Sequence, residues 1–161
     1  MTRKWVVNAS PLIILGKISQ IDLLVKLADS LVVPKAVAKE IEQGAQNDPA
    51  KKWLVQEGKE FIVETPPLST VIANWDLGDG ESHVLSWALA YSDYEAIVDD
   101  LAARKCAKTL SIPIRGTLGV VLLAKKIGLI PKVDPVLDAI SAAGLRIDPN
   151  LLEAIRTMAG E

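Results

Sequence analysis

The chain has 161 residues, of which 50% are hydrophobic and 24% are charged. This composition is typical of a chain that folds around a buried core, and it excludes disorder as the main state. With 20 acidic and 18 basic residues the net charge is -2. A surface that is basic all over is therefore excluded, and any contact with nucleic acid must be local.

Cys106 is the only cysteine in the sequence. An intramolecular disulfide and a cysteine-rich zinc site are therefore excluded, and a reducing, cytoplasmic location is expected. Near the start, two basic residues precede an uncharged run at 5–16, an arrangement shared with signal peptides. The run is shorter than the roughly 18 apolar residues that a membrane span needs, so we expect a buried first strand and no membrane partner.

Short apolar or β-branched runs alternate along the chain with longer segments of helical periodicity. The predicted strands are 5–7, 31–33, 61–63, 96–98 and 112–114. This alternation is typical of βαβ units, in which helices cover both faces of a parallel sheet. Since no linker or internal repeat divides the chain, we predict a single α/β domain over residues 1–161.

Helix boundaries are predicted from residues that cap helix ends. A polar side chain before a proline commonly opens a helix, and a glycine in the left-handed conformation commonly closes one. The helix starts predicted in this way are Ser10-Pro11, Pro34 and Asp148-Pro149, and the helix ends are Gly44, Gly128 and Gly144. A short helix is expected within 68–73, and an amphipathic helix is expected at 149–158.

Polar side chains follow three of the predicted strands at their carboxyl ends. They are Asn8 and Ser10 after the first strand, Asp99-Asp100 after the fourth, and Arg115-Gly116-Thr117 after the fifth. Open parallel sheets bind ligands at this edge. The three strand ends are therefore expected to share one candidate site.

Glu81 is a further acid, supplied by a predicted helix. It lies three and four residues before Val84 and Leu85 on the apolar stripe of that helix, so its carboxylate is expected to point toward the core. A carboxylate in that position must be neutral, bound to a cation, or paired with a basic side chain such as Arg104 or Arg115. Alternatively, Glu81 forms a capping interaction at the end of its helix. Its place in the first helical turn favours the ionised form.

Glu40 and the Asp99-Asp100 pair each allow two interpretations. Glu40 flanks the apolar stripe formed by Val37 and Ile41, so it either reaches over the sheet edge or stays solvated. One of the two aspartates is expected to cap the helix that follows, which leaves the other as a candidate ligand. The candidate ligands expected to converge are oxygen donors and include no His or Cys. Such ligands suit Mg²⁺ or Mn²⁺, and these ions serve phosphoryl transfer.

Five segments in a fixed order carry a resemblance to a known family. They are VVNASPLIILGKI at 6–18, VVPKAVAKEI at 32–41, LGDGESHVLSWAL at 77–89, VDDLAARKCA at 98–107 and IRGTLGVVLLAKKIGLI at 114–130. In these segments the chain resembles the PIN-domain ribonucleases, in particular a branch of short bacterial and archaeal PIN-like proteins. The resemblance implies an α/β/α sandwich with a central parallel sheet, a Mg²⁺ or Mn²⁺ site of clustered acids, and cleavage of single-stranded RNA. It also implies a toxin that forms a homodimer and is inhibited by a small antitoxin protein.

The resemblance also implies roles for individual residues. By position, the family's acids fall on Asn8, Glu40, Glu81 and the Asp99-Asp100 pair. Glu40, Glu81 and Asp99 would be catalytic, and Asn8, Glu81, Asp99 and Asp100 would bind the metal. Ser10 and Thr117 match small hydroxyl residues near the site and would contact the nucleic acid. Apart from the resemblance, our leading hypothesis is that Arg104 or Arg115 contacts a phosphate of the nucleic acid.

Asn8 is the main departure from the family, which usually has an aspartate there. Its amide oxygen can bind a hard cation but carries no negative charge, so metal affinity should fall. We therefore weigh a metal-dependent single-stranded RNA endonuclease against a degenerate module that binds RNA or protein without cutting. A third hypothesis is a phosphate-binding helix start at Gly116-Thr117.

Overall fold

A sheet of five parallel strands organises the fold in the computed structural model, which describes residues 2–161. The strands are β1 Lys4–Val7, β2 Ser30–Pro34, β3 Ile62–Val63, β4 Tyr94–Ile97 and β5 Ile114–Arg115. Their order is β3-β2-β1-β4-β5, with every neighbouring pair parallel. The predicted α/β/α sandwich with a central parallel sheet is confirmed.

Helices connect the strands and cover the sheet. They are α1 Ala9–Lys17, α2 Asp22–Leu27, α3 Lys35–Glu42, α4 Pro49–Gln56, α5 Thr70–Ala73, α6 Asp79–Ala90, α7 Leu101–Thr109, α8 Thr117–Ile127, α9 Asp134–Ala142 and α10 Pro149–Met158. A 3₁₀ turn at Gly58–Phe61 precedes β3. α3 packs against α6, α1 packs against α4, and α8 contacts both α2 and α10.

The central strands and the helices share one continuous hydrophobic core. Its largest fully buried side chains include Trp5, Leu12, Leu15, Leu24, Ile41, Ile72, Leu85, Ile97, Leu137 and Ile140. Strands buried on both faces read as continuous apolar runs, which is why short β-branched segments predicted them. Within residues 2–161, no helix is long and apolar enough to cross a bilayer.

Two of the predicted helix starts were wrong. α1 begins at Ala9 with Asn8 as its N-cap, so Pro11 lies in the first turn, where a missing N–H costs no helical hydrogen bond. Pro34 is the last residue of β2 and the N-cap of α3, rather than its first helical residue. The start at Asp148 is confirmed, because its carboxylate accepts a hydrogen bond from the Asn150 amide at 2.7 Å.

Two of the three predicted glycine helix ends are confirmed. Gly128 and Gly144 have φ values of 90° and 107°, in the left-handed region. The prediction for Gly44 was wrong, because α3 closes through Gln43 in a right-handed conformation and Gly44 stays outside the left-handed region. The short helix α5 begins at Thr70, two residues later than the start of its predicted segment.

Candidate active site at the carboxyl end of the sheet

Asn8 stands where the chain leaves β1. Its backbone N–H donates to the carbonyl of Ile97 at 3.1 Å, which holds residue 8 against the end of β4. The side chain is only 1% exposed, and although Asn8 is the N-cap of α1 it makes no capping hydrogen bond. Among the described residues, Oδ1 has no hydrogen-bond partner. Such a buried acceptor costs about 1–3 kcal/mol, so an electropositive ligand there would relieve the penalty.

Gly80, in the first turn of α6, lets two oxygen donors approach the same point. A Cβ at this glycine would lie 2.8 Å from Glu40 Oε2 and 3.3 Å from Asn8 Oδ1. The amide from β1 and the carboxylate from α3 therefore lie against the start of α6. Glu40 combines its two interpretations, because its carboxylate reaches Gly80 while the residue stays exposed to solvent.

Glu81 follows in the same helical turn. Its carboxylate folds back over Gly78, where any added Cβ would clash with Glu81 Oε2. The residue is half-buried on the rim of the site, so the expectation that it points into the core was wrong. Within residues 2–161 no basic side chain lies within 4.0 Å of it, which removes the proposed pairing with Arg104 or Arg115.

The acids of this region influence one another. The pKa of Glu40 is raised, first by partial burial and then by the negative charges of Glu81 and Asp79. Asp79 is the first residue of α6, and its Oδ1 lies 3.5 Å from His83 Nε2. Sequence reasoning missed Asp79 and Gly80 as site residues, although both belong to the LGDGES segment that carries the resemblance.

Asp99 and Asp100 have separate roles, which resolves the ambiguity between them. Asp100 caps α7, because its Oδ2 accepts a hydrogen bond from the Ala103 amide at 2.9 Å. Asp99 follows the end of β4, and its two oxygens accept hydrogen bonds from the backbone N–H and the hydroxyl of Thr117 at 2.8 and 2.5 Å. Asp99 is therefore the aspartate left facing the edge of the sheet.

The bonds to Asp99 contradict the hypothesis of a phosphate site at the start of α8. Thr117 is fully buried, and both of its donors are already used by a carboxylate. A phosphate at the same place would find these donors occupied and would meet a negative charge. Ser10 is exposed in the first turn of α1, so it remains accessible to a ligand.

The two candidate arginines differ in their partners. Arg115 lies in β5 rather than beyond it, and its Nε donates to Glu95 at 3.0 Å. The same carboxylate accepts a hydrogen bond from the Trp5 indole at 2.9 Å. Arg104 donates to the carbonyl of Val98 at 2.9 Å, and in the described part of the chain no carboxylate lies within 4.0 Å of its guanidinium. Arg104 is thus the better placed of the two to bind an anion.

The chain matches the family model of the PIN domain over residues 4–161. It belongs to the PIN-domain family. A comparison with curated proteins finds no match for the chain. The family assignment confirms the resemblance found in the five sequence segments, and it places this PIN domain in a nuclease-like fold family that is generally dependent on divalent metal ions.

The candidate metal ligands of this PIN domain are not all carboxylates. Within residues 2–161, no three His, Cys, Asp or Glu side chains come close enough together to hold a metal ion. The structure instead brings the Asn8 amide together with Glu40, beside Glu81, while Asp99 is directed to Thr117. An amide oxygen and two carboxylates are hard donors, and the buried Asn8 Oδ1 lacks an internal partner among those residues, so the set fits Mg²⁺ or Mn²⁺.

Proposed function

We propose that this PIN domain is a Mg²⁺- or Mn²⁺-dependent endonuclease that cuts single-stranded RNA. The observation that carries the proposal is the buried Asn8 Oδ1, which faces the same point as Glu40 Oε2 at the start of α6. A protein gains nothing for its own stability by burying an acceptor in this way. A cation held between the amide and the carboxylates explains the arrangement.

Asn8, Glu40 and Glu81 are the residues that would hold the ion, with Asp99 at the neighbouring strand end. When bound, such an ion orients the attacking water and stabilises charge on the leaving oxygen. In the cleavage, the water oxygen bonds to phosphorus as the bond from phosphorus to the leaving ribose oxygen breaks. The proton of that water passes to solvent, because a carboxylate such as Glu40 that holds a cation has its pKa lowered and is a poor base.

The remaining residues position the substrate. Arg104 supplies a guanidinium without a carboxylate partner within 4.0 Å among residues 2–161, and we assign it to a phosphate of the RNA. Ser10 and Arg115 lie at the same edge of the sheet as secondary contacts. Thr117 acts through Asp99, since its two hydrogen bonds hold that carboxylate in place.

By the same family resemblance, we propose that the enzyme is a cytoplasmic toxin, a homodimer that a small antitoxin protein inhibits. The support is the match over residues 4–161 together with the five segments. Induced expression in a bacterial host should arrest growth. Glu81→Gln should relieve the arrest at equal protein levels, and equal arrest by that variant would contradict the toxin role.

A second candidate function is a module that binds RNA or protein without cutting. The observation that favours it is Asn8, where the family usually has an aspartate, because the amide removes one negative charge from the site. If this loss is decisive, the parent protein binds no metal, whereas Asn8→Asp restores binding.

Calorimetric titration with Mn²⁺ tests both functions. We expect the parent to bind Mn²⁺, Glu81→Gln to bind about tenfold more weakly, and Asn8→Asp to bind more tightly, each lost or gained charge contributing on the order of 1.4 kcal/mol. Glu42→Gln, an exposed position on α3, is the matched control and should behave as the parent.

Cleavage of a panel of single-stranded RNAs by the same proteins completes the test. Cleavage by the parent that disappears in Glu81→Gln supports the endonuclease. Binding and cleavage by Asn8→Asp alone would identify the degenerate module. Parent-like cleavage in Glu81→Gln would reject the proposed site.

A further inference from the structure

A cavity of about 510 Å³ lies between α8 and α10 and extends to Asp99. Its lining includes Arg104, Gly116, Leu118, Leu122, Leu151 and Met158. The volume falls within the roughly 300–1,000 Å³ that is usual for small-molecule sites. Because Asp99 lies at the end of β4, the cavity opens directly beside the proposed active site.

Two arginines, Arg104 and Arg115, and the carboxylate of Asp99 line the cavity together with apolar side chains. The Arg104 guanidinium uses one N–H on the Val98 carbonyl, and within residues 2–161 it has no carboxylate within 4.0 Å. The second arginine in the lining, Arg115, is already paired with Glu95. Asp99 uses both oxygens on Thr117, which leaves the Arg104 guanidinium as the group of this lining that can bind an anion.

The opposite wall is formed by α10. Leu151 and Met158 line the cavity and remain 47% and 54% exposed, whereas Ile155 between them is buried. At Gly116 a Cβ would lie 3.0 Å from Asp99 Oδ1 and 3.1 Å from Arg104 Nη1, so both charged side chains lie close against the N-cap of α8. Because Arg104 and the apolar side chains of α10 line the same cavity, a group that contacts α10 can carry an anion that reaches Arg104.

We infer that this cavity binds one nucleotide of the RNA, with its phosphate on Arg104 and its base against the apolar wall of α10. The inference rests on the proposed function, and it assigns to α10 a role in choosing which base lies next to the cleaved bond. The argument rests on charge and apolar contact together: a guanidinium without a carboxylate within 4.0 Å among residues 2–161 matches a phosphate, and the aliphatic side chains of α10 match the face of the attached base.

Titration with the four nucleoside 5′-monophosphates in EDTA tests the inference on the full chain. Binding followed by nuclear magnetic resonance should saturate and shift amides of α8 and α10. The matching nucleosides and inorganic phosphate should each bind about tenfold more weakly, because each lacks half of the recognised chemistry. Inorganic phosphate that binds as tightly as the nucleotides would overturn the assignment of the apolar wall.

Two pairs of variants separate the contributions. Arg104→Gln should weaken nucleotide binding about tenfold and leave nucleoside binding unchanged, while the exposed neighbour Lys105→Gln behaves as the parent. Leu151→Asp should weaken binding of nucleotides and nucleosides alike, while Val55→Asp, an equally apolar exposed position on α4, should not. All four positions are on the surface or partly exposed, so the fold should survive each change.

The results that overturn the inference are distinct from those that overturn the proposed function. The inference is overturned if nucleotide binding does not saturate, or if Arg104→Gln and Leu151→Asp both bind nucleotides as tightly as the parent. Either result holds whether or not Mn²⁺ binds. A dimer that Leu151→Asp dissociates would show instead that a second copy of the chain covers the cavity. Nucleotide binding without any Mn²⁺ binding would retain the inference and reject the metal-dependent nuclease.

Discussion

A substitution at Gly80 should change Mn²⁺ affinity without lowering the stability of the fold. In Gly80→Ala the added methyl would lie 2.8 Å from Glu40 Oε2 and 3.3 Å from Asn8 Oδ1, so the Glu40 carboxylate must swing away. Alanine is a better helix former than glycine by up to about 1 kcal/mol. We expect the free energy of unfolding in urea to be unchanged or raised, and Mn²⁺ affinity to fall at least about tenfold. Parent-like Mn²⁺ binding would show that the two oxygens do not act together.

Glu40 should destabilise the metal-free protein at neutral pH. Burial and the charges of Glu81 and Asp79 raise its pKa, so the folded state disfavours the ionised carboxylate. In EDTA, Glu40→Gln should therefore have a slightly higher melting temperature than the parent at neutral pH. Below the ordinary pKa of 4.5 the carboxyl is protonated in both states, and the advantage should disappear. Glu42→Gln should show no such gain.

Residues of the site differ in how far sequence alone could place them. Asn8 and Glu40 were predictable, because one ends an apolar strand and the other borders a helical stripe. Asp99 could not be separated from Asp100, since either aspartate can cap a helix and only the folded chain brings Thr117 to one of them. The role of Arg115 was missed because its pairing with Glu95 depends on the register between β4 and β5.

At the scale of the elements, α1 packs closely against α4 at Gly16. A Cβ there would lie 3.0 Å from the backbone nitrogen of Ala50, an atom that cannot rotate out of the way. Gly16→Ala should therefore lower the free energy of unfolding by about 1–3 kcal/mol, the usual range for overpacking. Urea denaturation measures the change, with the adjacent exposed Lys17→Ala as control. Equal stability of both variants would contradict the close approach.

The start of α9 is held by a side chain from the end of the chain. Glu161 accepts hydrogen bonds from the amides of Val133 and Asp134 at 2.7 and 3.3 Å, and Lys125 Nζ lies 3.6 Å away. These bonds lower the pKa of Glu161, so its stabilising effect is complete above 4.5 and is lost as the pH falls through the lowered pKa.

Glu161→Gln should accordingly speed hydrogen exchange at the first amides of α9 at neutral pH. The difference from the parent should narrow in acid, where the parent carboxyl is protonated as well. Equal exchange rates at neutral pH would mean that the carboxylate does not hold these amides. Asp138→Asn, an exposed position on α9, serves as control.

Existence and order of the elements were easier to predict than their boundaries. Five apolar runs in a βαβ pattern indicated a parallel sheet, since strands covered on both faces need side chains that are apolar throughout. The observed boundaries differ from the predicted ones where a residue can serve two structural roles. Asn8 takes the N-cap position expected for Ser10, and Pro34 ends a strand where it was expected inside a helix.

For the whole molecule, the net charge of -2 limits how RNA can bind. Binding through one or two phosphates should give a shallow salt dependence, with a slope of log K against log salt between about -0.7 and -1.4 for a single strand. Fluorescence anisotropy of a labelled single-stranded RNA in EDTA at several salt concentrations measures the slope. Arg104→Gln should reduce its magnitude by about 0.7, and a slope steeper than about -4 would indicate a broad basic surface instead.

Both edge strands of the sheet, β3 and β5, are only two residues long. Free backbone N–H and C=O groups at a sheet edge are the template on which strands of other chains add and aggregation begins. Two residues offer too few such groups for a lasting strand pairing. The protein should therefore stay free of strand-mediated aggregation when concentrated, and copies that associate should do so through their helices.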